Sequence, residues 1–235
     1  PSLAFPESNT LSAAERDWVA KDQEAGVKMS SHCKGHYLPP ASFMTQPSKA
    51  KNVIIVTSEE VLHVENEVTT FLGDVEVQGI NRTINASSII IDSIKDHAIA
   101  SGAVSIREDG LLIQSDYGES NLSKGDSIMK NATFILHENQ IRGSADQITS
   151  TNEKILIIEE GSFTRCEPGN NFWDFHGQNI ELKRNEGYGV ANHATVKIKG
   201  IPIAYFPYLR FPLNDERSSG FLTPSIAHND EDGMD

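Results

Sequence analysis

A chain of 235 residues, 38% of them hydrophobic, is long enough for one large β domain or two modest ones with a substantial core. Thirty-three acidic against twenty basic residues leave a net charge of −13, and with no basic cluster interleaved with aromatics this argues against a nucleic-acid partner. No apolar run reaches the length of a membrane-spanning helix and no charged, greasy leader opens the sequence, so the chain reads as soluble or already processed.

Residues 1–52 read as a polar leader and extended tether. Within it LSAAERDWVAKDQEA, with Ser12 as N-cap and Glu15 three residues on, predicts a short helix around Trp18. From Ser31 the composition changes, and SHCKGHYLPPASF, with its proline pair, suits an extended tether. Strand-like sequence begins at Val53 and continues to about Pro212, punctuated by Asp, Asn and Gly at roughly 8 to 12 residue intervals.

Inside that region the chain repeats itself. FLGDVEVQG recurs as AIASGAVSIREDG and more weakly as MKNATFILHEN, each followed by a second short segment, so that Ile84, Ile113 and Ile141 fall about 29 residues apart. In the first unit Phe71, Val75 and Val77 share a face opposite Asp74, Glu76 and Gln78; in the second Val104 and Ile106 oppose Ser105 and Arg107. One such hairpin is marginal in water, so the units must stack and turn their apolar faces against something. The predicted class is all-β.

Chemistry-bearing patterns are sparse. Eight histidines form no HxxxH, HExxH or HxH set, so no metal site is predicted and no cofactor is implied. No GxSxG elbow appears. Asp92, Asp96, Asp116 and Asp146 fall near the turns of successive units, where a β-solenoid carbohydrate-active enzyme could stack acids, though turn solvation is the simpler reading. Cys33 and Cys166 are too far apart for a local redox pair; they are one long-range disulfide, two free thiols, or halves of bridges to cysteines elsewhere.

CKGHYLPP, the LGDVEVQG and ASGAVSIREDG units, SFTRCEPGNNFWDFHGQNIEL, IKGIPIAYFPYLRFP and SGFLTPS together resemble the LptD (organic solvent tolerance protein) family of lipopolysaccharide-assembly outer-membrane proteins. The resemblance covers about Cys33 to Ile226. It implies a V-shaped, open β-jellyroll of stacked antiparallel strands over 53–212, facing the periplasm. Residues 213–235 would then be a linker and the first strand of a transmembrane β-barrel at the cell outer membrane. The implied function is lipopolysaccharide transport without catalysis: the jellyroll takes lipopolysaccharide from a periplasmic bridge and passes it to the barrel.

Each acyl methylene kept from water is worth about 0.8 kcal/mol, so several chains need a continuous apolar groove. The expected lining is Phe71, Val75, Val77, Ile84, Val104, Ile106, Ile113, Phe134, Leu136 and Ile141, with Ala86 and Gly102 leaving room. The implied partners are an LptA-like bridge jellyroll, adding a strand to the edge near Val53 to Val64, and an LptE-like plug lipoprotein in the barrel. Cys33 and Cys166 match the family's two N-terminal cysteines, whose bridges run to cysteines outside this segment. Pro224 matches a proline in the first barrel strand, where a missing amide hydrogen would weaken the gate seam. The runner-up readings are the carbohydrate-active enzyme and a self-associating structural module.

Overall fold

The computed structural model describes residues 13–20, 35–40, 54–64, 68–79, 82–151 and 155–213. The leader contributes one helical turn, α1 (Ala13–Arg16), and two three-residue strands, β1 (Trp18–Ala20) and β2 (Gly35–Tyr37), which pair antiparallel. The predicted helix thus stops before Trp18, because Trp18 and Val19 are taken up by pairing with Tyr37 and His36.

The rest is strand. β3 (Ile55–Thr57) and β4 (Glu60–Val64) both pair with β5 (Val68–Gln78), and β6 (Arg82–Asp92), β7 (His97–Glu108), β8 (Leu111–Asn121) and β9 (Asp126–Leu136) follow. The sheet then runs through β10 (Ile141–Thr151), β11 (Ile155–Thr164), β12 (Trp173–Lys183), β13 (Tyr188–Ile198) and β14 (Ile201–Pro212). Among the described residues these make one antiparallel sheet in which sequence neighbours are also spatial neighbours from β5 to β14. The all-β jellyroll class is therefore observed, while Pro224 and the rest of 214–235 lie outside the described residues.

The strands are not straight. Alternate ones carry a non-glycine residue with positive φ near the middle: Asp74 (41°) in β5, Ala103 (49°) in β7, Asn131 (51°) in β9, Glu160 (48°) in β11 and His193 (50°) in β13. The first four recur at the spacing of the sequence repeat, so the repeat is the interval between successive bends. Register shifts sit at the same places, between Leu72 and Val75, Asn85 and Ser88, and Ser101 and Val104, as β-bulges bend and twist a strand.

The bend also switches which residues face inward. In β12 Phe175 and Gly177 are buried before it and Ile180 and Leu182 after it; in β9 the order is Met129, then Ala132, Phe134 and Leu136. Residues from both halves of these strands join one apolar cluster, so the sheet folds over into two arms with their apolar faces inward. Gly102 (φ 75°) is exposed at the β7 bend beside Ala103, and so serves the bend rather than clearing space inside the fold. A left-handed conformation costs an L-residue about 1 to 2 kcal/mol, and exposed Ala103 has no packing to lose. Ala103→Gly is therefore expected to raise the unfolding free energy by about 1 kcal/mol, read from the urea midpoint at unchanged slope.

Candidate apolar groove and its strap

Two clusters fill the space between the arms. The one at the β5–β7 end is built on Val75, Ala86, Ile89 and Val104, with Phe71, Val77, Ile84, Ile91, Ala100 and Ile106 only partly buried against it. The other spans β8 to β13: Ile113, Phe134, Leu136, Ile148, Ile158, Ile180 and Leu182 are buried, as are Ala191 and Ala194, while Ile141, Phe163, Trp173, Val196, Phe206 and Phe211 are only partly buried against it. Ile106 packs against both and marks their joint. Apolar side chains are thus half-open to solvent at both ends of the fold, at β5–β7 and at β12–β14, with the most fully buried ones between.

All ten residues expected to line a groove lie in or against these clusters. Val75 and Val104 are 1% exposed, and Ile113, Phe134 and Leu136 are also buried. Phe71, Val77, Ile84, Ile106 and Ile141 are half-buried. Nine of the ten lie in the arm that follows the bulge in β5 and β7; of its partner arm the expected lining held only Phe71 and lacked Ile89, Ile148, Ile158 and Ile180. The inward switch at the bend hid that arm, since an unbroken alternation through β12 would send Ile180 and Leu182 outward.

The outer face holds a second unexpected feature. Leu112 and Ile135 point away from the interior yet are 2% and 3% exposed, because Tyr37 and Trp18 of the leader lie over them. The two rings meet edge to face at 4.7 Å between centroids. The Tyr37 amide donates to Gln140 Oε1 (2.6 Å), Gln140 Nε2 donates to the Tyr37 carbonyl (3.0 Å), and the Tyr37 hydroxyl donates to the Cys166 carbonyl (3.0 Å). The leader is therefore a strap tied across β7 to β10.

Its charged anchor is Asp17, which is fully buried. Arg107 Nη1 and Nη2 donate to its two oxygens at 2.7 and 3.1 Å, and His137 Nε2 lies 2.8 Å from Oδ2. An ionised carboxylate only accepts, so His137 carries its proton on Nε2. Burial would push the Asp17 carboxyl up, but the hydrogen bonds from His137 and Arg107 outweigh it and hold the group below the usual carboxylate range. Arg107, expected to be simply outward and solvated, is outward but spoken for.

Cys166 is buried with its thiol free, its amide donating to Thr164 Oγ1 at 3.2 Å. Cys33 lies outside the described residues. Of the acids weighed for catalysis, Asp92 caps a turn through the Ile94 and Lys95 amides and pairs with Lys95 Nζ (2.9 Å). Asp96, Asp116 and Asp146 are exposed.

Residues 55–188 match the family model described as LptA/(LptD N-terminal domain) LPS transport protein. The LPS-assembly protein LptD of Saccharophagus degradans is 36% identical over 204 residues, covering 86% of this chain and 24% of that protein. The LPS-assembly protein LptD of Pseudomonas savastanoi pv. phaseolicola is 30% identical over 233 residues, covering 97% of this chain and 25% of that protein. The chain thus spans about a quarter of the length of the curated relatives it matches. A crystal structure of LptH, the LptA homologous periplasmic component of the lipopolysaccharide transport device of Pseudomonas aeruginosa, matches 65% of this chain and 99% of that chain. The identity there is 12% and the TM-score 0.28, too low for a common global superposition.

Proposed function

Because this chain belongs to the LptA/(LptD N-terminal domain) LPS transport protein family, we propose that its folded sheet receives lipopolysaccharide from an LptA-like bridge on the periplasmic side. The acyl chains lie between the two arms and are handed to a β-barrel in the cell outer membrane that holds an LptE-like plug. No bond is made or broken in this cycle. The names of the relatives, LPS-assembly proteins, favour transport over the carbohydrate-active enzyme.

The observation that carries the reading is the apolar surface left half-open inside the fold. At the β5–β7 end Phe71, Val77, Ile84 and Ile106 keep part of their apolar surface in water, a state that a closed core would remove and that a hydrocarbon guest would relieve. The entry end is also the edge where β3 and β4 pair only with β5 and leave Ile55, Val61, Leu62 and Val64 exposed. A strand from a bridge protein added there would satisfy free backbone groups and cover those side chains. The two cysteines would brace jellyroll to barrel in the oxidising periplasm. The Tyr37 hydroxyl reaches the Cys166 carbonyl, which ties the chain four residues beyond Cys33 to the Cys166 loop.

Photo-crosslinking side chains at Val77, Ile84 and Ile106, exposed to purified lipopolysaccharide, are expected to label strongly, those at buried Phe134 more weakly, and those at Glu76 and Lys130 only at background. Labelling confined to Glu76 and Lys130 would overturn the assignment of the interior as the lipid path.

A further inference from the structure

The last hairpin exposes large apolar side chains on its outward face. Outward positions such as Asn85, Ser87, Gln114 and Asp116 are polar, whereas β14 presents Ile203, Tyr205 and Tyr208 at 58%, 57% and 62% exposure. These side chains are not spared from the core. Phe206, Leu209 and Phe211 of the same strand already pack against the cluster that spans β8 to β13. Among the described residues, nothing on the strand's own sheet covers the outward set.

Charge changes at the same place. From Gly187 to Leu213 there is no Asp or Glu, in a chain whose net charge is −13, and the cations there are Lys197, Lys199 and Arg210. Lys197 pairs with Pro202 and Arg210 with Val190 in the register that places both beside the exposed ridge. Lys199 Nζ lies 5.5 Å from the ring centre of exposed Phe172, and the Arg210 guanidinium stacks 3.8 Å from that of Tyr188. His193 shares a 2.6 Å hydrogen bond with the Tyr205 hydroxyl. Acids return on β12 and the turn after it, where Asp174 lies opposite Lys197 in the register and Glu181 and Glu186 are engaged by Lys183, and in sequence at Asp215 and Glu216.

We propose that this outward face of β13 and β14 rests on an anionic phospholipid surface, Ile203, Tyr205 and Tyr208 entering the headgroup boundary while the three cations meet lipid phosphates. Tyrosine, with an apolar body and a polar tip, suits that boundary, and apolar area together with basic charge sets the strength of such attachment. The contact uses the face opposite the lipid path proposed above, so the two can fail separately. It would fix the distance of the jellyroll from the membrane.

Flotation of the full chain with vesicles of phosphatidylethanolamine and phosphatidylglycerol, against vesicles of phosphatidylcholine alone, tests this. The chain is expected to float with the anionic vesicles, to lose about tenfold in partitioning with Ile203→Glu and Tyr208→Glu combined, and to lose severalfold with Lys199→Glu, which gives up only the exposed contact with the Phe172 ring. Thermal melts identify variants that remain folded. No flotation of the wild type, or equal flotation of the folded variants, would overturn the proposal. A dimer in light scattering that those substitutions dissolve, without vesicle binding, would give the face to a second copy of the chain and overturn it equally.

Discussion

Asp17→Ala is expected to release the leader strap while leaving the sheet folded. Removing one member of a buried ion pair costs about 3 to 5 kcal/mol, because the remaining charge is left desolvated and unpaired. Here Arg107 escapes that cost if the strap lifts and water reaches it. The penalty therefore falls on the docked state of residues 13–20 and 35–40, not on the sheet. Trp18 reports it directly: the chain has two tryptophans, and in a Trp173→Phe background the emission of Trp18 should shift to the red and amides of Trp18–Ala20 should exchange faster. Emission unchanged from wild type would show that the apolar contacts of Trp18 and Tyr37 hold the strap without its charge.

Acid should do to the wild type what the substitution does at neutral pH. The Asp17 carboxyl titrates lower in the folded state than when free, so its stabilisation is present above about pH 4 and is lost as the pH falls through the depressed folded value. The red shift of Trp18 should therefore develop only in strong acid, and Asp17→Ala should show no such step.

Ile180→Ala should weaken the sheet itself. Ile180 is 1% exposed and occupies a notch where two neighbouring strands carry glycine. A Cβ on Gly177 would lie 2.9 Å from Ile180 Cγ1, and one on Gly161 would lie 3.2 Å from its Cδ1. Truncation removes a side chain that the bend residues were shaped around, with an expected loss of about 2 to 5 kcal/mol in denaturant unfolding. Gly177→Ala should destabilise the wild type but much less the Ile180→Ala protein, a coupling that a double-mutant cycle would read. Additive losses would mean that the notch is not what holds the arms together.

The strands, their antiparallel order and the repeat were legible because alternation and turn residues are local. The meaning of the repeat was not. An exposed Ala103 or Asn131 at positive φ leaves no mark in hydrophobic periodicity, so the bends, and with them the inward residues of the second arm other than Phe71, stayed hidden. The strap was hidden for another reason, since Asp17 finds Arg107 and His137 90 and 120 residues away. Even so, a trace was present. Leu111, Leu112 and Ile113, and Phe134, Ile135 and Leu136, are apolar on both faces, and a strand that is apolar outward as well as inward must be covered from outside.

Since every bent strand crosses both arms, the lipid path proposed between them would run across the strands and not along them. Neighbouring strands stand about 4.8 Å apart, so the ten strands from β5 to β14 span roughly 45 Å. Reach is thus set by the number of hairpins and bore by the side chains at each bend. Inserting or deleting one repeat would lengthen or shorten the conduit by a fixed step of roughly 10 Å without altering its width.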